Sequence, residues 1–417
     1  MNPSDIEMDD VDKLYKARWI FPMCQPPING GFVRVRRGKI IEIGSIRELD
    51  LANVPVIDLG DVALLPRMVN SHTHLEFSDC ESVVGQPGIS LAEWIGKVIS
   101  TRGASSAEQR QKSIALGIEE SVAAGVGLIG DIATTPSVYP GSTEPMILSF
   151  AEVLGLSHER ASDRIAAAEI QERSLKHHDS VHFAVSPHAP YSTPMDLVRR
   201  CVQFCIRNRS PLAMHVAESP DERELLESGT GRFSDSLREA GFWREGLFPW
   251  PGDQPLSALI GQLARAPQVL LIHGNDLKDA EIDLIARYDH RSIVYCPRTH
   301  DFFGYSPHPV AKLINAGIRV SIGTDSRASN PDLSVWNEVQ FLLNRRTDLD
   351  PYNVLQMATQ WGADALLGGE SGFGVIGRSD GGINSLVAVR TNAGQLNQVW
   401  RDFAARELLP VPGPFRT

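Results

Sequence analysis

The stretch Leu64-Leu65-Pro66-Arg67-Met68-Val69-Asn70-Ser71-His72-Thr73-His74-Leu75-Glu76 decides the reading of this chain. Its apolar start predicts a buried strand. Side chains alternate faces along a strand, so His72 and His74 point the same way and can grip one cation together. Two imidazoles make half a metal site, and the other half has to be found downstream. Working outward, the same texture of a short apolar run ending in polar or Gly residues returns at residues 126–131, 146–152, 181–186, 212–217, 269–273, 292–296 and 318–323. Longer helix-like stretches separate the runs. Eight apolar strands alternating with helices imply a parallel sheet covered on both faces, closed as a (β/α)8 TIM-like barrel.

The chain ends read differently. Residues 13–60 alternate in polarity, with strands over 31–38 and 39–44 joined at Arg37-Gly38. One more amphipathic helix is expected over 353–367, then a Gly-rich, turn-like segment from Gly368 to Gly382. A final strand over 384–390 is expected to rejoin the N-terminal β structure. The predicted division is therefore 1–63 as the N-terminal part of a small β-sandwich domain, 64–370 as the barrel, and 371–417 as the C-terminal part of the small domain. Among the helices, Ser192-Thr193-Pro194 before Met195 and Ser219-Pro220 each place a hydroxyl before a proline at a predicted first turn.

A chain of 417 residues, 42% hydrophobic and 22% charged, has the composition of a globular protein with a large core. A net charge of −11 with no dense basic run argues against a nucleic-acid partner. The five cysteines lack zinc-ribbon or paired-loop spacing and suit a reducing compartment. Residues 1–13 are acidic and polar where a signal peptide is basic and then apolar, and no apolar run approaches the roughly 18 residues a membrane span needs. These features predict a cytoplasmic protein with a small-molecule substrate and no membrane partner.

In an α/β barrel the reactive groups gather where the strands end. Strand one finishes in His72 and His74, strand five in His215-Val-Ala-Glu218, strand six in His273-Gly274 and strand eight in Gly323-Thr324-Asp325. Three imidazoles and a carboxylate complete a divalent-metal shell with one position left for water. Each piece has a plain alternative. His215 or His273 alone fits a hydrogen-bonded core residue, Asp325 fits a helix cap, and Glu218 fits the acidic first turn of the next helix. What outweighs those alternatives is that all fall at the same end of successive strands.

Taken as a set, these motifs resemble the amidohydrolase superfamily, in its branch of mononuclear aminohydrolases. That branch spans adenosine-moiety, aminofutalosine and guanine deaminases and the triazine chlorohydrolases. The resemblance runs from about residue 15 to 390. It implies His72, His74, His215 and Asp325 as metal ligands, with Glu218 and His273 as the proton-handling pair and Asp325 accepting the proton of the attacking water. No lysine stands near the end of strand four, where binuclear relatives carry a bridging one, so one divalent metal ion is implied, Zn2+ with Fe2+ as the alternative. The relatives also imply a substrate-binding role for His188 and an aromatic wall at Trp94, although a helix-face core position fits Trp94 equally well. Arg298 fits either a clamp for an acidic substrate group or a barrel-rim cation. Glu76 imitates the His-x-Glu of cytidine-deaminase-type zinc enzymes. The chain has no Cys-x-x-Cys to go with it, which leaves Glu76 as a pocket residue.

The function implied is a metal-dependent hydrolase that deaminates a purine-like or other N-heterocyclic ring, of aminofutalosine or adenosine-moiety type, and releases ammonia. The alternatives are hydrolysis of another C–N or C–Cl bond (formimino, amide, chlorotriazine) on the same fold, or a non-catalytic metal-binding scaffold. Dimers are common in the resembling family, so a homodimer is a further expectation.

Overall fold

A computed structural model describes residues 12–48, 54–102, 106–134, 136–141, 144–244, 254–369, 371–377 and 382–411. Most of the acidic N-terminal stretch and part of the Gly-rich segment after Gly368 lie outside the described residues. The chain divides into two compact units. One is built from the chain up to Val69, from Ala123–Gly127 and from Val335 onward, and the other from Asn70–Val122 and Leu128–Ser334.

In the first unit, strands β1 (Lys13–Ile20), β2 (Ile28–Arg36), β3 (Lys39–Ser45), β4 (Val56–Asp58) and β5 (Val62–Pro66) form a sheet, joined later by two strands from the far end of the chain. Arg37 and Gly38, both at positive φ (50° and 73°), make the tight turn between β2 and β3. β1 pairs with β2 along its length, with β4 over its first half and with β5 over its last residues. Alternate residues of these strands, among them Tyr15, Ala17, Val33, Val35 and Leu64, meet in one apolar core with Ile376, Leu386 and Ala388.

The second unit carries the eight-stranded parallel sheet. Its strands are β6 (Met68–Thr73), β7 (Val126–Ala133), β8 (Met146–Val153), β9 (Val181–Pro187), β10 (Leu212–Val216), β11 (Val269–His273), β12 (Arg291–Tyr295) and β13 (Arg319–Ile322), paired in chain order. The circle closes between its first and last members. The carbonyl of His72 accepts the amides of Thr324 and Asp325 at 3.0 and 3.1 Å. Gly323 permits this approach, because a Cβ there would come within 2.8 Å of the His72 Cβ. Together with the two further strands β14 (Leu386–Arg390) and β15 (Leu408–Pro410), which pair antiparallel with each other, while β14 lies antiparallel to β5, the fold is a (β/α)8 barrel plus a sheet domain drawn from both chain ends.

Several local expectations are corrected. The quoted stretch holds two strands, since Leu64-Leu65-Pro66 belongs to β5 of the sheet domain and the barrel strand starts at Met68. Between them the Arg67 amide turns to the Ser385 carbonyl, and its guanidinium donates to the Val126 carbonyl at 2.9 Å. The single helix expected over 353–367 is two, Pro351–Met357 and Gln360–Leu367. The chain breaks at Thr359 (φ −136°, ψ −101°), and the carbonyl of Ala358 accepts the Val69 amide instead of continuing the helix. Between β7 and β8 no helix occurs among the described residues. That connection sends Tyr139 inward, where its hydroxyl donates to Asp131 at 2.6 Å. Of the two hydroxyl-proline signals, Ser219 caps its helix by accepting the Glu222 amide, whereas Ser192 pairs with the His188 ring.

Candidate active site

Three strand ends leave the barrel through residues in the left-handed region: Ala217 (φ 52°), His273 (φ 72°) and Asp325 (φ 58°). Side chains other than Gly adopt this conformation at a cost, and such strain concentrates where a side chain must be re-aimed. At Ala217 the re-aiming is direct. β10 ends at Val216, and the turn swings Glu218 back so that its Oε1 lies 3.4 Å from His273 Nε2.

The imidazoles form one cluster. His72 lies edge-on to His74, His215 and His273, with ring centroids 5.0, 5.1 and 5.5 Å away, and His215 stacks on both His74 and His273. Asp325 turns its Oδ1 into this cluster, 3.5 Å from His72 Nε2 and 3.8 Å from His74 Nε2. Its other oxygen accepts the Ser329 hydroxyl at 2.9 Å, and its Oδ1 also accepts the Ser326 amide at 2.8 Å. Donor atoms of His72, His74 and His215, and likewise of His72, His273 and Asp325, lie within 4.8 Å of one another.

This donor set fits a divalent cation. Both ring nitrogens of His72 are buried and have no hydrogen-bond partner, an arrangement that costs free energy unless something else occupies them. His215 donates its Nδ1–H to the carbonyl of His188 at 2.7 Å, which leaves Nε2 as the lone-pair nitrogen. Burial lowers the pKa of His72, His74 and His273 well below the usual imidazole value and brings His215 to about 4, so the rings are neutral, as metal ligands must be. Burial, reinforced by the charges of Asp325 and Glu222, pushes the Glu218 carboxyl well above its ordinary range and favours its protonated form.

The other residues singled out from the sequence fall in four places. His188 stands beside the cluster, its ring 5.1 Å from that of His215, its Nδ1 2.6 Å from the Ser192 hydroxyl and its Nε2 3.7 Å from Glu152; burial lowers its pKa to about 4. Glu76 is buried and accepts the Thr134 hydroxyl at 2.7 Å. Trp94 joins an apolar cluster with Tyr191, Phe233 and Phe303, and its indole N–H reaches the carbonyl of Ala328 at 3.4 Å. Arg298 is engaged within the chain. Its guanidinium makes a two-pronged pair with Asp332 at 2.8 and 2.6 Å and is not set as an open clamp.

Sequence reasoning missed the groups that hold these residues. Asp131 is buried, accepts the Leu75 amide and the Tyr139 hydroxyl, and has its pKa raised to about 7 by burial. Asn70 pairs with both the hydroxyl and the amide of Thr324. Ser329 anchors Asp325 through its hydroxyl. Asn70 stood inside the quoted stretch; Ser329 and Asp131 gave no sequence signal.

The amidohydrolase family model matches residues 63–376. The chain is 26% identical over 360 residues to a 5-methylthioadenosine/S-adenosylhomocysteine deaminase of Nitratidesulfovibrio vulgaris, an alignment covering 81% of this chain and 75% of that one. It is 28% identical over 326 residues to an aminodeoxyfutalosine deaminase of Deinococcus radiodurans, covering 74% of each. The crystal structure of Helicobacter pylori aminofutalosine deaminase in complex with methylthio-coformycin superposes with a TM-score of 0.77 at 22% identity, over 95% of this chain and 97% of that one. With a family model spanning most of its length, this chain belongs to the amidohydrolase family, whose members are metal-dependent hydrolases.

Proposed function

We propose that the protein is a mononuclear metal-dependent aminohydrolase that removes the exocyclic amino group of an adenine-type ring as ammonia. One observation carries the reading: the buried Glu218 carboxyl stands 3.4 Å from His273, beside a donor set of His72, His74, His215 and Asp325. The named relatives act on adenosine-containing compounds, which supports the ring type. The catalytic domain is taken to be the barrel, beginning at Met68 and not at residue 64, since residues 64–66 belong to β5.

His72, His74, His215 and Asp325 would hold the ion, and three nitrogens with one carboxylate oxygen suit Zn2+ ahead of Fe2+. Bound there, the ion supplies Lewis acidity that makes hydroxide available at neutral pH. Asp325 accepts the proton of the attacking water. Glu218 delivers its proton to the ring nitrogen beside the amino-bearing carbon, which makes that carbon electrophilic. His273 hydrogen-bonds the developing tetrahedral centre and the Glu218 carboxylate in turn. The proton held by Asp325 passes to the amino nitrogen, which leaves as ammonia as its bond to the ring carbon breaks, while the proton of the new hydroxyl group returns to Glu218 and the carbon becomes a carbonyl. His188 and Glu76 offer hydrogen-bonding groups for the rest of the substrate, and Trp94 an apolar wall.

The five cysteines are free thiols, which supports a reducing, cytoplasmic setting, and none of the described helices is long and apolar enough to cross a membrane. A homodimer is the proposed assembly, tested by light scattering. The function is tested by ammonia release from adenosine, 5′-methylthioadenosine, S-adenosylhomocysteine and aminodeoxyfutalosine, using metal-replete protein and Glu218→Gln as control. Turnover that vanishes in the variant supports the reading. Silence across the panel from protein carrying about one ion per chain overturns it.

A further inference from the structure

Two adjacent residues at the start of the helix Pro220–Ser228 reach in opposite directions. Glu222 is fully buried and points back to the strained turn, accepting the Ala217 amide at 2.7 Å and the Glu218 amide at 3.4 Å. Arg223 points across to the neighbouring strand end. Its Nε and one Nη bind the side chain and carbonyl of Asp276, both at 2.5 Å, and its two Nη atoms grip the Glu281 carboxylate at 2.8 Å each. The two turns are stitched at backbone level too. The amide of Gly274 donates to the Val216 carbonyl, the amide of Asp276 to the Ala217 carbonyl, and the Asn275 side chain to the Glu218 carbonyl.

We propose that Glu222 and Arg223 are positioning residues that set the spacing between Glu218 and His273. The inference rests on the aminohydrolase reading for its kinetic consequence, and on the geometry alone for its structural one. The chain around Ala217, and around His273 and Gly274, runs at positive φ and would relax toward ordinary backbone if released. Each turn is therefore held from outside. Glu222 fixes the Glu218 turn to its helix, and Arg223 fixes that helix to the chain just beyond His273. A guanidinium is required because its planar fork spans Asp276 and Glu281 at once, which an ammonium on a flexible stem does not. Neither residue is placed to touch the substrate.

The test uses Arg223→Lys, Arg223→Met, and Arg223→Met combined with Glu281→Gln, the last because Arg223→Met alone leaves buried carboxylates unpaired and can fail to fold. For the folded variants kcat is expected to fall about tenfold (Lys) to about a hundredfold (Met with Gln), with KM and bound metal close to wild type. Crystal structures of the same variants read the spacing directly and are expected to show Glu218 Oε1 and His273 Nε2 drawn apart. An unchanged 3.4 Å separation in the folded variants overturns the proposal whatever their activity. If wild type itself releases no ammonia, the aminohydrolase reading fails, and the crystallographic comparison still decides the positioning role.

Discussion

The ring of His215 is held by the main chain of His188, since its Nδ1–H donates to that residue's carbonyl oxygen at 2.7 Å. The acceptor is backbone, so it survives any change of the His188 side chain. His188→Ala is thus expected to keep metal content near wild type while raising KM. His215→Ala removes a ligand and is expected to lower metal affinity by about a hundredfold or more. Metal analysis alongside Michaelis kinetics on both variants checks the contrast.

Glu218→Gln keeps size and burial but cannot give up a proton. Its kcat is expected to fall by about 10²–10⁴-fold with metal content unchanged. Burial raises the Glu218 pKa, so the active protonated form is present below that raised value and is lost as pH rises through it. The wild-type rate should therefore decline on an alkaline limb, and kcat-against-pH profiles test it. A limb of unchanged position in a Glu218→Asp variant would assign it to another group.

Ser329 holds the Asp325 oxygen that faces away from the imidazoles. Ser329→Ala leaves that carboxylate held only by the Ser326 amide and is expected to cost about tenfold in kcat/KM. Added metal should restore part of the loss, which a titration of activity against metal concentration will read.

Asp131 makes stability depend on pH in a particular direction. Its pKa is about 7 in the folded chain against 3.8 for an ordinary aspartate, so between those values the folded state binds more protons than the unfolded one. Stability contributed by this group is complete below about pH 4 and is lost as pH rises toward 7, with a slope of at most about 1.4 kcal/mol per pH unit. Asp131→Asn should flatten the melting temperature over that range. An identical pH dependence in wild type and variant would rule the group out.

Arg298 is expected to matter for folding more than for binding, because Asp332 already satisfies it. Exchanging the pair by Arg298→Met with Asp332→Leu should leave KM for adenosine within a few-fold of wild type. A large rise in KM would return Arg298 to the substrate.

The strands were legible because a barrel strand is buried on both faces and its apolar run needs no partner to be recognised; 126–131 and 269–273 land on β7 and β11 almost residue for residue. The polar residues closing those runs were legible for the same reason, since architecture alone collects strand ends. What stayed hidden were pairings between distant parts of the chain. Asp131 meets Leu75, 56 residues away, and Asn70 meets Thr324, 254 residues away, and neither partner carries any local mark of the other. The split between β5 and β6 was hidden too, because an apolar run reads the same whether one sheet or two receive it. The Arg298–Asp332 pair shows the converse limit: a cation's position at the rim was readable, but not that its charge was already answered.

The barrel is sewn shut at His72, and the thread is the carbonyl of that residue rather than its ring. Every amino acid carries such a carbonyl, so the seam is indifferent to what stands at position 72, provided that Gly323 leaves room for it. Scaffold and chemistry are thereby separable at the very residue where they coincide. A descendant of this chain can shed its imidazoles one after another, keep its barrel closed, and be left with a rigid cup at the strand ends, free to acquire a different reaction or none.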